Sequence, residues 1–368
     1  MHRRTFLASG LALAAAPARP EARPPLRVAL LGQALIEHEL SPAAWPGRAA
    51  IAARLAQAHA CFTNLETVIK GPRAGAPSRE ALTLHAAGPA ILDTLKAVNI
   101  NLVATANNHA FDLGSGGILD TLDALRAAGL PSAGSGVDLG AASAPALIET
   151  PAGKVALVAC ATGKVREGGA AGAARAGVNE IRQDAARELL PEDVARVLDS
   201  IRAARARADV VIAYQHNHDW ELDNADTPAW QRVFARTCAQ AGASVFVGHG
   251  SPLLQGMEVH AGVPLLYGLG NFIFQTEKPP GAYPPEAWEG LVVDCVFEAG
   301  HCRSARLVPL ALNEIGLGGQ DDMATRGGPT FATPVQGVKI LERVAARAKP
   351  FGGRIGIAAH GEGELLGL

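Results

Sequence analysis

Leu102-Val103-Ala104-Thr105-Ala106-Asn107-Asn108-His109-Ala110-Phe111-Asp112-Leu113-Gly114 is the stretch on which the fold turns. A short apolar run reads as a buried strand and ends abruptly in two amides and an imidazole. Glycines follow, and residues 116–128 then carry the apolar spacing of a helix. Strand, polar cluster and helix in that order make one α/β unit.

The pattern recurs on both sides. Strands are expected over residues 27–31, 61–64, 102–105, 155–159, 210–214 and 244–247, with helices over 47–59, 90–98, 116–128, 184–208 and 227–241. Alternation at this spacing predicts an α/β architecture with buried strands. Residues 253–260, 264–274, 291–298 and 304–310 read as consecutive strands of a second, antiparallel-leaning sheet packed on the first.

Composition narrows the class. The 368 residues are 48% hydrophobic and only 18% charged, where about 25% charged is usual. Disorder is excluded by the supply of apolar side chains. A multi-span membrane protein is excluded because no run of about 18 apolar residues occurs. The formal net charge of −2 gives no basic field for nucleic acid. Residues 1–25 hold Arg3-Arg4, an apolar stretch from Leu11 to Ala16 and small residues with prolines, the order of a twin-arginine export signal. Export implies a periplasmic or envelope location. Cys61, Cys160, Cys238, Cys295 and Cys302 show no CxxC spacing, and Cys295 and Cys302 could meet across a hairpin.

Five expected strands end in polar clusters: Gly32-Gln33, Asn64-Leu65-Glu66, Asn107-Asn108-His109, Gln215-His216-Asn217-His218 and Gly248-His249-Gly250. The carboxyl edge of an α/β sheet is where loops converge on a ligand. A strand-end Asn or His alone is ordinarily a turn residue. Five clusters in register point to a site, with nitrogen and oxygen donors suited to zinc, manganese or iron. His59, His85, His260, His301 and His360 stand isolated and read as surface or packing residues. No nucleophile elbow, P-loop or dinucleotide fingerprint is present.

Asn64-Leu65-Glu66, the string Asn107 to Gly114 with Gly117, Val247-Gly248-His249, Gln255-Gly256-Met257-Glu258 and Tyr267-Gly268-Leu269-Gly270-Asn271-Phe272-Ile273-Phe274 resemble motifs of CapA-type bacterial capsule synthesis proteins. The resemblance runs from about residue 26 to residue 312 and sets a domain at 26–315, followed by a glycine-rich extension of unassigned structure at 316–368. Such proteins are linked to poly-γ-glutamate capsule production and share the fold of calcineurin-like metallophosphoesterases. That implies a two-sheet sandwich flanked by helices, in four layers α/β/β/α. It further implies one or two divalent ions held by Asn64, Glu66, Asn108, His216 and His249. The chemistry would be a metal-activated hydroxide, with His109 as general acid and Asp112 orienting it. The implied partners are an envelope polymer or its precursor and a membrane-bound polymer-synthesis machinery.

Two positions depart from the family pattern. Gln33 stands where an aspartate is usual, and Pro252 where a second imidazole is usual. His218, Asp219, Glu221, Glu37 and His38 lie near the same edge and offer substitutes, of which His218, two residues beyond His216 on an extended chain, is the best placed. The departures leave two expectations open: a metal-dependent hydrolase, or a non-catalytic polymer-binding scaffold on a degenerate fold.

Overall fold

The structure, a computed structural model, describes residues 24–368; the expected export signal lies outside those residues, apart from its last two. Two β-sheets face each other. The nine-stranded sheet runs in the order Arg354–Ile357, Gly363–Leu366, His301–Leu312, Glu289–Glu298, Leu26–Leu31, Ala60–Asn64, Leu102–Ala104, Ser132–Ala133, with Pro329–Phe331 paired off His301–Leu312. The six-stranded sheet runs Met257–His260, Val263–Leu266, Val245–His249, Val210–Asn217, Gly153–Thr162, Ala146–Thr150.

Both sheets have parallel centres. Leu26–Leu31, Ala60–Asn64 and Leu102–Ala104 are parallel in one. Gly153–Thr162, Val210–Asn217 and Val245–His249 are parallel in the other. Alternate residues of each strand fill the space between the sheets: Val28, Leu30 and Phe62 meet Leu157, Ile212, Tyr214 and Val247. Their neighbours face outward onto helices. Ala29, Leu31 and Val103 pack on Ile51, Leu55, Leu92, Leu95 and Leu125. Val158, Val211 and Phe246 pack on Val197, Ile201, Phe234 and Cys238. Strands buried on both faces must be apolar at every position, which is why they read as unbroken apolar runs. The layers are therefore helix, sheet, sheet, helix, the α/β/β/α order expected.

The second sheet is not the one the sequence suggested. The strands after residue 253 do not associate with one another alone. Met257–His260 and Val263–Leu266 extend the six-stranded sheet, whereas Glu289–Glu298 pairs antiparallel with Leu26–Leu31 in the nine-stranded one. Cys295 and Cys302 lie near each other in the hairpin of Glu289–Glu298 and His301–Leu312; both are buried and free. No helix among the described residues is long and apolar enough to cross a membrane.

Residues 316–368 fold onto the same body. Helix Pro334–Ala348 starts with a capping box between Thr333 and Gln336 and buries Ile340, Leu341 and Val344 in the inter-sheet core. Ahead of it, buried Arg326 donates from Nη1 to the carbonyls of Thr276 and Lys278 at 2.8 and 2.6 Å. It thereby braces the chain leaving strand Asn271–Phe274.

Gly32, directly after the first strand, shows how tightly the edge is built. A Cβ there would stand 2.7 Å from the Gly270 oxygen and 2.8 Å from the Phe272 nitrogen. Both are backbone atoms that cannot rotate away. Gly32→Ala is expected to cost roughly 2–3 kcal/mol through forced backbone displacement, read as a lowered Tm in thermal melts. An unchanged Tm would show that the two segments separate freely.

Candidate metal and proton-transfer site

The carboxyl ends of the two parallel centres point the same way, so the sequence's strand-end clusters converge. From one sheet come Gln33, Asn64, Glu66 and the segment Asn107–Asp112; from the other come His216, His218 and His249. Nearly all are buried.

Glu66, His216 and His218 each place one donor atom within 4.8 Å of the other two. Glu66 Oε1 lies 3.5 Å from His216 Nε2 and 4.0 Å from His218 Nε2. Asn108 Oδ1 stands 2.8 Å from His216 Nε2, and Tyr214 Oη stands 3.2 Å from His216 Nδ1. His218 is stacked between His216 and Trp220, with ring centroids 4.9 and 4.5 Å away. Glu66 Oε2 and both ring nitrogens of His218 are buried without a hydrogen-bond partner. Orphaned polar atoms at such depth are costly unless something else binds there. Two imidazoles, a carboxylate and an amide oxygen fit a borderline divalent ion such as zinc, manganese or iron.

The other expected ligands sit differently. Asn64 Oδ1 accepts from Asn107 Nδ2 at 3.1 Å, and that same amide donates to the Leu65 carbonyl at 2.8 Å. Asn107 Oδ1 in turn accepts from the His109 backbone at 3.1 Å. These amides shape the loop. His249 is outside the Glu66–His216–His218 group, its ring parallel to Phe62 and edge-on to Tyr214. Gly250, where both a φ of +116° and a Cβ contact of 2.0 Å with the Asn217 oxygen exclude other residues, donates its N–H to Gln33 Oε1 at 3.2 Å.

Next to these donors lies a buried imidazole–carboxylate pair. His109 Nδ1 is 2.8 Å from Asp112 Oδ2, and the other Asp112 oxygen accepts from Arg79, which also donates to the Asn108 carbonyl. Of its two neighbours, the sequence reading missed His85 and placed Glu37 at this edge as a possible substitute ligand. His85, assigned to surface or packing, is buried with its ring centroid 4.3 Å from that of His109. Its Nδ1 is 2.6 Å from Glu37 Oε1. Glu37 and His38 both donate backbone N–H groups to Gln275 Oε1 at 2.8 Å.

Burial sets the protonation states. It lowers His216 and His218 well below the ordinary imidazole value, helped by neighbouring imidazoles and, for His218, by Lys164 and Arg79. Burial also lowers His109 strongly, with the charges of His85, Arg79, Arg166 and Lys278 adding to it. His109 is thus neutral in the free protein, where a general acid would be protonated. Burial pushes Glu66 up to about 8, against the pull of Arg79 and with Asp112 adding to the rise. Asp112 rises to about 6 for the same reason, held there by Arg79.

The chain is similar to several known proteins. A probable polyglutamine synthesis accessory protein of Mycobacterium tuberculosis is 32% identical, covering 74% of this chain and 71% of its own. The PGA biosynthesis protein CapA of Bacillus subtilis is 33% identical over 49% of this chain and 44% of its own. A solved phosphatase of Mycoplasma pneumoniae is similar over 79% of this chain and 88% of its own, with 13% identity and a TM-score of 0.41. The family described as bacterial capsule synthesis protein PGA_cap matches residues 28–276, a span that holds Glu66, Asn108, His109, Asp112, His216 and His218, and the chain belongs to that family.

Proposed function

We propose that this family member is an exported, metal-dependent hydrolase acting on an anionic envelope polymer of poly-γ-glutamate type, or on its precursor, beside a membrane-bound synthesis machinery. The observation that carries this is the pairing of an orphaned Glu66–His216–His218 donor set with the buried His109–Asp112 couple. When bound, a divalent ion supplies Lewis-acid activation of water and of the scissile group. The Arg3-Arg4 segment supports export.

The chain's own residues do the rest. Arg79, Lys164, Arg166 and Lys278 surround the imidazoles closely enough to depress their basicity, so the site favours an anion. Arg166 Nε is buried and unpartnered, a donor ready for a carboxylate or phosphate oxygen. An arriving anion offsets those cations and raises the proton affinity of His109. Asp112 at Nδ1 fixes the ring and balances the imidazolium, leaving Nε2 to deliver the proton to the leaving group.

Assays of the metal-loaded protein on a chromogenic phosphoester and on poly-γ-glutamate test this. His109→Ala is expected to lower kcat by about 10²–10⁴-fold without loss of bound metal. Polymer binding with no turnover on any substrate or metal would favour the scaffold reading, to which the neutral Gln33 strut lends its weight.

A further inference from the structure

We infer that the site holds a single divalent ion, bound by Glu66, His216 and His218 with Asn108 at its side, and that Gln33, Pro252 and His249 are structural supports that leave no place for a second. This rests on the metal-dependent reading above and fixes its stoichiometry and ligand set.

His218 qualifies as a ligand on three grounds. It follows His216 by two residues where the strand Val210–Asn217 ends, so both rings project toward Glu66. The flanking rings of His216 and Trp220 restrict its rotation, so little side-chain entropy remains to be lost on binding. Neither of its nitrogens has a partner, unlike His85 and His109, each committed to a carboxylate through Nδ1.

A second ion fails on charge and on donors. Among the described residues, Glu66 is the carboxylate of the cluster, with Oε2 lacking any hydrogen-bond partner. Asp112 is occupied on both oxygens by Arg79 and His109, and Glu37 is taken by His85. Two divalent ions against one carboxylate would leave a large uncompensated charge at a buried site. The remaining donors are neutral, and two of those at the departing positions are engaged in the fold. Gln33 Oε1 accepts from the Gly250 N–H, and the Pro252 carbonyl accepts from Asn271 Nδ2 at 3.3 Å. Asn271 is itself pinned to the Ala287 carbonyl at 2.7 Å. His249 has free ring nitrogens but aromatic surroundings, parallel to Phe62 at 6.5 Å and edge-on to Tyr214 at 5.4 Å.

Chelator-stripped protein titrated with Zn²⁺ or Mn²⁺, followed by calorimetry and by elemental analysis after gel filtration, tests the inference. One ion per chain is expected. His218→Ala should weaken binding at least about 100-fold, while His249→Phe and Gln33→Ala retain one ion within about threefold of the parent affinity. Melting of each variant with chelator present verifies that it is folded, and His218→Asn provides a second, polar replacement expected to lose the ion equally. Two ions per chain, or loss of the ion in His249→Phe, would overturn the inference while leaving metal dependence intact. Unimpaired binding by both His218 variants would remove His218 from the ligand set. No ion in the parent protein after supplementation would sink the metal-dependent reading itself.

Discussion

Acidifying the metal-free protein from pH 7 to pH 4 is expected to unfold it cooperatively, with a midpoint between about pH 4 and 5.5. The cause is four buried imidazoles. His109, His216 and His218 are held well below their ordinary proton affinity and His249 is pushed down to about 3, whereas an unfolded histidine protonates near 6.5. Below pH 6.5 the unfolded chain therefore binds more protons than the fold, and stability falls as pH falls. Each imidazole contributes about 1.4 kcal/mol per pH unit in that window, so four give about 5.6 kcal/mol per unit.

Two carboxyl groups oppose the trend. Glu66 at about 8 and Asp112 at about 6 hold protons in the fold that an unfolded carboxylate near 4 would release. Their stabilisation is fully present below pH 4 and is lost as pH rises through 6 and 8. They offset about 1.4 kcal/mol per unit each between pH 4.5 and 6, which leaves a net slope of about 3 kcal/mol per unit. A stability in the lower half of the usual range of about 5–15 kcal/mol is then exhausted between about pH 5 and 4. A circular-dichroism titration of chelator-treated protein checks this. His249→Phe removes one of the four and should move the midpoint to lower pH. A parent signal flat down to pH 4 would mean the imidazoles are solvated, contrary to their burial.

The same residues show what the sequence could and could not disclose. Strand ends were legible because a buried strand must be apolar throughout, so Asn107-Asn108-His109 or His216-Asn217-His218 at its end stands out. Sheet membership was not. The hairpin of Glu289–Glu298 and His301–Leu312 docks against Leu26–Leu31, a pairing across more than 250 residues that no local pattern encodes. His85 and its meeting with Glu37 were invisible for a related reason. His85 reaches His109 because Ala86–Ala87 pairs with Val68–Ile69, and Glu37 reaches His85 by a separate loop anchored on Gln275. Nothing in the spacing of those residues announces the meeting. Helix Pro334–Ala348 went unassigned behind the glycines around it, although Thr333-Pro334 with Gln336 and the apolar positions 340, 341 and 344 form a start signal and stripe.

Asp112→Ala is expected to be the most damaging single substitution at the site, costing about 3–5 kcal/mol. Asp112 is fully buried and its two oxygens hold Arg79 and His109. Removing it strands the Arg79 guanidinium, which is only 12% exposed, with no counter-charge, and frees the His109 ring to rotate. A Tm fall of about 5–10 °C or more should follow. Asp112→Asn keeps an oxygen for one neighbour but removes the charge, so it should recover less than half of that loss. Arg79→Met alone leaves a buried carboxyl group that can take up a proton, a milder defect because its affinity already stands at about 6. The double variant Asp112→Asn with Arg79→Met eliminates the uncompensated charge, and should be at least about 2 kcal/mol more stable than the sum of the single effects. Additive single effects would show that the two charges do not interact, and with that the claim that Asp112 anchors the proton-transfer pair through Arg79 would fall.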